Sequence, residues 1–342
     1  MFQARYSAQI SLALWALGSA PSFAAPLNPN DFTSLGSLSL TQTVGDYLFD
    51  TGNGTPVLKA PDGSVLYSGV VSGDIAVFNF DSVSIASQVT VKATGTLSLG
   101  LLSLSSIQLN GNLNANGFNA NNGTPGEGGA GGGRGGAAPF GAGEGSGGGI
   151  GKGGLPGFGD GGGFGGHGGN GFGDVGGIAY GDLHLKLEGG SGGGASANLF
   201  GSVAGGGGGG AIELGALSSI DFGGGLLTAT GGDGSGGTAL LGGGGSGGGL
   251  LLHAPTISFT GNTTVSADGG GAFGGGGRIL FLTDSGGLSG EITHLSVNPA
   301  PTGGAVAGVI EYGKLSAVPV PASAWLMLSA LTGYLGLRRK AA

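Results

Sequence analysis

Residues Val83 to Gly95 read V-S-I-A-S-Q-V-T-V-K-A-T-G, and Ile257 to Gly269 read I-S-F-T-G-N-T-T-V-S-A-D-G. The two stretches align without gaps: Val83 with Ile257, Ile85 with Phe259, Val91 with Val265, Ala93 with Ala267, Gly95 with Gly269. Apolar and polar residues alternate in each half, the period-two signature of a half-buried strand, and small residues mark the corner between the halves. Ile107 to Gly117 is a shorter version, and Ile220-Asp221-Phe222-Gly223 opens a fourth.

An apolar run precedes several of these windows. Ala211-Ile212-Glu213-Leu214 leads into the Ile220 window, Leu250-Leu251-Leu252 into the Ile257 window, and Arg278-Ile279-Leu280-Phe281-Leu282 starts a further unit. The unit is a glycine tract, an apolar strand, a corner, then an alternating strand pair. Units that recur in this way, with insertions at one corner, predict an all-β chain with a right-handed parallel β-solenoid-like body and glycine-rich loops. A β-sandwich is the alternative, because regular strand spacing also fits it. One unit cannot bury its apolar face alone, whereas stacked units make a continuous core worth about 1.5–3 kcal/mol per buried large apolar side chain.

The composition agrees with strands. Of 342 residues 89 are Gly, 13 are Pro and none is Cys. Glycine costs roughly 1 kcal/mol per helix position relative to Ala, which excludes a helical bundle. A strict Gly-X-Y period is missing, which excludes collagen. Apolar residues make up 39% of the chain and cluster in alternating runs, which argues against full disorder. The lack of Cys rules out disulfide staples and Cys-ligated zinc. Gly123 to Gly177 is dominated by glycine with isolated Phe140, Phe158, Phe164 and Phe172. Because ordered glycine loses the most conformational freedom, this stretch is predicted to be a flexible or loosely packed insertion. A bundle of polyproline-II segments held by the Phe residues is the other option. Residues 203–210 and 242–249 read as shorter loops of the same kind.

Charge separates the ends from the body. The chain has 11 basic and 19 acidic residues, and four of the bases (Arg5, Arg338, Arg339 and Lys340) lie in the two terminal segments. The remaining body is strongly acidic, which argues against nucleic-acid binding and suits contact with neutral glycans or divalent cations. Arg5, the apolar core Ile10–Leu17 and Ser22-Phe23-Ala24-Ala25 predict a signal helix over residues 1–25, cut by signal peptidase after Ala24 or Ala25. At the other end, Val318-Pro319-Val320-Pro321-Ala322 precedes a mostly apolar stretch over 322–337 and the basic cluster Arg338, Arg339 and Lys340. That order predicts a C-terminal transmembrane helix whose cations stay cytoplasmic and whose body lies across the membrane.

This tail resembles the PEP-CTERM sorting signal, with Pro319-Val320-Pro321 in place of the usual Pro-Glu-Pro. The resemblance covers residues 318–342, with motif, span and basic cluster in the family's order. It implies recognition by an exosortase-like membrane protease in a Gram-negative bacterium that makes exopolysaccharide; an ordinary single-pass anchor is the alternative. Gly69 to Val83 is similar to glycine-rich, β-rich exported bacterial proteins, which implies no particular reaction. The resulting division is a signal peptide (1–25), an N-terminal β-rich part (26–122), a glycine-rich insertion (123–177), β-rich repeats with glycine loops (178–317) and a sorting signal (318–342).

No catalytic, cofactor-binding or metal residue is predicted. Gly151-Lys152-Gly153 lacks the Ser or Thr that ends a phosphate-binding loop, and Gly168 to Asp174 is one imperfect copy of a calcium nonapeptide that works in tandem. The histidines His167, His184, His253 and His294 show no paired ligand spacing, and His184 in Asp182-Leu183-His184-Leu185-Lys186-Leu187-Glu188 reads as one solvated strand face. The acids Asp62, Asp74, Asp81, Asp221, Asp233, Asp268 and Asp284 are scattered. The expectation is therefore an exported cell-surface or matrix structural protein, associated with extracellular polysaccharide or biofilm, that is not an enzyme. A glycan-binding adhesin is the first alternative. A polysaccharide lyase or glycosidase, whose acids must converge within roughly 5–10 Å, is the second.

Overall fold

The computed structural model describes residues 26–52, 54–171 and 176–315. Ala24, Ala25, the segment Val318, Pro319, Val320, Pro321 and Ala322, the cluster Arg338, Arg339 and Lys340, and Asp174 lie outside the described residues, and so do both predicted terminal helices. The described residues are nearly all strand, turn and extended chain, with one short 3-10 turn, Pro29–Asp31, and no α-helix.

From Ile75 onward the chain distributes its main strands among three sheets in rotation, while two small three-stranded sheets form within the insertions, Lys152–Gly153 with Ser196–Asn198 and Gly201–Val203, and Gly157–Phe158 with Leu240–Leu241 and Gly236–Gly237. Ile75–Phe80 enters a seven-stranded sheet, Ser82–Ile85 a six-stranded one and Thr90–Thr94 an eight-stranded one. Ser98–Ser103, Ser106–Leu109 and Asn112–Asn114 repeat the order, then Ala211–Ala216, Ser219–Gly223 and Leu226–Thr228, then Gly249–His253, Thr256–Thr260 and Thr264–Ser266. Arg278–Thr283, Leu288–Gly290 and His294–Ser296 form a last set before Val309–Lys314. Each strand pairs in parallel with its counterpart in the next set. Antiparallel strands Val57–Lys59, Val65–Ser68 and Val70–Ser72 close the N-terminal end, which covers edges that would otherwise be open for pairing.

Register follows side-chain phase, as the sequence alignment requires. Val83, Ile107, Ile220 and Ile257 fall in one row, and Ile85, Leu109, Phe222 and Phe259 in the next. Both rows point inward and are buried. Like therefore stacks on like, with Phe222 and Phe259 ring centroids 5.0 Å apart. A shift of one residue would turn every one of these side chains to solvent, so burial locks the register.

Every long insertion leaves between a strand of the eight-stranded sheet and the next strand of the seven-stranded one, at residues 115–210, 229–248, 267–277 and 297–308. The expectation of a flexible or loose insertion is not what the structure has here. The described glycine segments are largely buried and hydrogen-bonded backbone to backbone with a three-residue period. Gly242, Gly245 and Gly248 donate to the carbonyls of Ser235, Gly232 and Ala229 at 2.9, 2.9 and 2.7 Å. Gly243 and Ser246 donate to Gly194 and Ser191 at 2.8 and 2.9 Å, and Gly244 and Gly247 to Ala272 and Gly275. Three residues per turn, each turned to a different neighbour, is polyproline-II geometry, and here the neighbouring chains replace the water that normally satisfies it. Side chains would keep such chains apart. A Cβ on Gly207 or Gly243 would strike the carbonyl oxygen of Glu127 or Asp160. Phe164 is buried in this region, edge-on to Tyr180 at 5.0 Å. The entropy of ordering glycine is thus offset by backbone hydrogen bonds that only glycine permits.

Candidate functional site

Strand alternation in the six-stranded sheet sends its polar residues to the outer face in two rows. Ser37, Ser82, Ser106, Ser219 and Thr256 form one; Ser39, Ser84, Gln108, Asp221, Ser258 and Ser289 form the other. Successive rungs are about 4.8 Å apart, the spacing of paired strands. Asp221 is the anionic centre of this face: its two carboxylate oxygens accept from Ser219 Oγ at 2.7 Å and Ser258 Oγ at 2.5 Å. Ser82 Oγ donates to Ser37 Oγ at 3.1 Å. The result is a regular array of hydroxyls with one amide, Gln108, and one carboxylate on a partly exposed surface.

The outer face of the seven-stranded sheet is built differently, because other chain segments cover it. Asn79 Nδ2 donates to the carbonyls of Pro29 and Phe32 at 3.0 and 2.7 Å, and Glu213 Oε1 accepts from the Leu27 amide at 2.6 Å. Residues 26–32 are thereby strapped across the sheet. Glu213 Oε1 also lies 2.8 Å from His253 Nε2, and both residues are buried. Gly215 sits beside His253 in the register, where a Cβ would collide with the imidazole ring. The strap leaves a cleft of about 830 Å³, lined among others by Leu27, Phe32, His184, His253, Leu282 and Lys314.

Beside the cleft, residues 178–188 cross the same face. The sequence predicts an alternating strand for Asp182–Glu188, but residues 183–185 form a turn. Leu183 and Leu187 are buried and pack with Phe164, Leu251 and Leu280, while Leu185 is exposed. The side chains follow the needs of this anchoring rather than a strand period. Tyr180 lies next to the turn, with its hydroxyl 3.0 Å from the Gly189 carbonyl and 2.9 Å from Ser191 Oγ. Burial pushes its phenol up to about 12. Arg278 Nε donates to the Tyr180 carbonyl at 3.0 Å, and its guanidinium lies 5.8 Å from the Phe164 ring centre. The turn brings Asp182 and His184 to Glu311 on the final strand Val309–Lys314, with one ligand-type atom from each within 4.8 Å of the others.

The other histidines are apart from this group: His167 Nδ1 accepts from the Ala179 amide at 3.2 Å, and His294 is exposed on a short strand. The scattered acids serve their surroundings. Asp268 accepts from Ser266 and Ser296, both at 2.8 Å, Asp81 from Ser34 at 2.6 Å, and Asp233 from the Gly271 amide at 2.5 Å. Asp62 is held low by hydrogen bonds from its neighbour Ser64. Sequence reasoning did not single out Asn79, Glu213 or Glu311 as functional. Asn79 and Glu213 carried one signal, a polar residue inside an otherwise apolar strand, because Ile75–Phe80 and Ala211–Ala216 are buried on both faces.

No family model, curated protein or solved structure matches this chain.

Proposed function

We propose that the protein is an exported structural component of the cell surface or extracellular matrix that lies against polysaccharide through the hydroxyl face of the six-stranded sheet. The body in this reading is a right-handed parallel β-solenoid. Support comes from the rotation of strands among three sheets in parallel register, and from the strong right-handed preference of parallel crossovers. The observation that carries the functional reading is the pair of outer rows centred on Asp221. A polyhydroxyl polymer laid along the rows meets donors and acceptors at a constant repeat, and the rigid sheet loses little freedom on contact. The signal segment ending at Ala24 or Ala25 and the PEP-CTERM-like tail, read by an exosortase-like protease, would deliver the body.

Two measurements test this. A tagged full chain is expected in the outer or extracellular fraction, and a chain lacking residues 318–342 is expected to be retained in the cell; a body found in the cytoplasm would sink the export reading. Co-sedimentation of the purified full chain with matrix polysaccharide is expected, and Asp221→Ala should weaken it roughly tenfold, the order expected for a charge-assisted hydrogen bond. Equal retention of wild type and Asp221→Ala would remove this face from the account.

A further inference from the structure

We propose that Asp182, His184 and Glu311 form a binding site for a divalent transition-metal ion, Zn²⁺ or Mn²⁺, which staples the 178–188 segment to the last strand of the seven-stranded sheet. The proposal is independent of polysaccharide binding. Its ground is the meeting of three ligand-type side chains from two distant parts of the chain, with atoms within 4.8 Å of one another. The residues beneath them are fixed. Leu183 and Leu187 are buried on either side of His184, and Glu311 stands in register with Leu280 on a paired strand. One Asp182 carboxylate oxygen is already used, accepting from the His184 amide at 2.9 Å, which orients the turn. The other oxygen, the Glu311 carboxylate and the His184 imidazole have no hydrogen bond or ion pair among the described residues. The nearby Lys186 turns instead to Glu188 at 2.9 Å and Asp74 at 3.5 Å. Two carboxylates are thus gathered with no cation between them.

The donor set selects the ion. One imidazole nitrogen and two carboxylates suit Zn²⁺ or Mn²⁺, whereas Ca²⁺ and Mg²⁺ prefer oxygen alone. Ligand bonds of about 2.0–2.2 Å require the exposed Asp182 and His184 and the half-buried Glu311 to close in by rotamer adjustment. Three protein ligands leave at least one coordination position open, and His184 also lines the cleft, so that position lies beside it.

The test is calorimetric titration of the full chain, made without a histidine tag and stripped with chelator, against Zn²⁺, Mn²⁺, Ca²⁺ and Mg²⁺. His184→Ala and Glu311→Gln are run in parallel. One equivalent of Zn²⁺ or Mn²⁺ is expected to bind, and at a hundredfold excess over Kd to raise the melting temperature by roughly 5–10 °C. Each variant should lose that equivalent while melting like wild type in chelator, since both side chains are at the surface. No binding overturns the proposal. So does an equivalent that survives both substitutions, or a preference for Ca²⁺ that His184→Ala leaves unchanged.

Discussion

Replacing Gly210 by Ala tests whether the glycine segments are held by close backbone contact. A Cβ on Gly210 would lie 2.5 Å from both the nitrogen and the oxygen of Ala130 and 2.7 Å from the carbonyl carbon of Gly129. Ordinary contact begins near 3.4 Å, so two backbones must separate by about 0.9 Å, an overpacking that costs about 1–3 kcal/mol. The same shift strains the hydrogen bonds from Gly210 N to Ala115 at 2.6 Å and from Gly249 N to Gly210 at 3.0 Å. Losing most of both adds about 2 kcal/mol, for a total of about 3–5 kcal/mol. At roughly 2–4 °C per kcal/mol for a chain of this size, thermal unfolding followed by circular dichroism should fall by roughly 6–20 °C. Gly237→Ala is the control. Nothing lies within 4 Å of a Cβ there and its φ is not left-handed, so the substitution should leave the midpoint unchanged or slightly raised. If the two variants melt within about 2 °C of each other, the packing argument fails, whatever the hydrogen-bond pattern.

Two more outcomes follow from buried polar groups. Tyr180 ionises at about 12 when folded, against 10.0 for a free tyrosine. The folded state therefore holds more protons between those values, and stability falls by about 2–3 kcal/mol as pH rises through them. Urea denaturation across that range should show the slope in the wild type and lose that part of it in Tyr180→Phe; parallel slopes would contradict the assignment. His253→Ala leaves the Glu213 carboxylate buried with only the Leu27 amide, and should cost about 3–5 kcal/mol in denaturant titrations. The double variant Glu213→Leu with His253→Leu should be the more stable of the two, and the reverse order would mean that the pair is not desolvated as described.

The core was legible in the sequence. Alternation in Val83–Gly95 and Ile257–Gly269 told which residues face inward, and their gapless alignment anticipated the row that joins Val83 to Ile257. The His184 turn was not legible, because Asp182–Glu188 alternates like a strand although Leu183 and Leu187 are anchors on a loop. Period-two polarity reports that alternate residues are buried on one side, and a turn clamped at two points mimics it over so short a stretch.

What the sequence alone determined is the identity and phase of the repeated strands, since these depend on residues near one another in the chain. It also determined that the glycine tracts could adopt almost any conformation. Which one they adopt was decided by tertiary structure. Gly205 to Gly210 take their hydrogen-bond partners from segments as distant as Ala115 and Ser246, and the missing side chains matter only once those segments close in. The meeting of Asp182 and His184 with Glu311 has the same origin. A local pattern carries no trace of it, because it exists only when a turn anchored by buried leucines is laid against the last strand of the sheet.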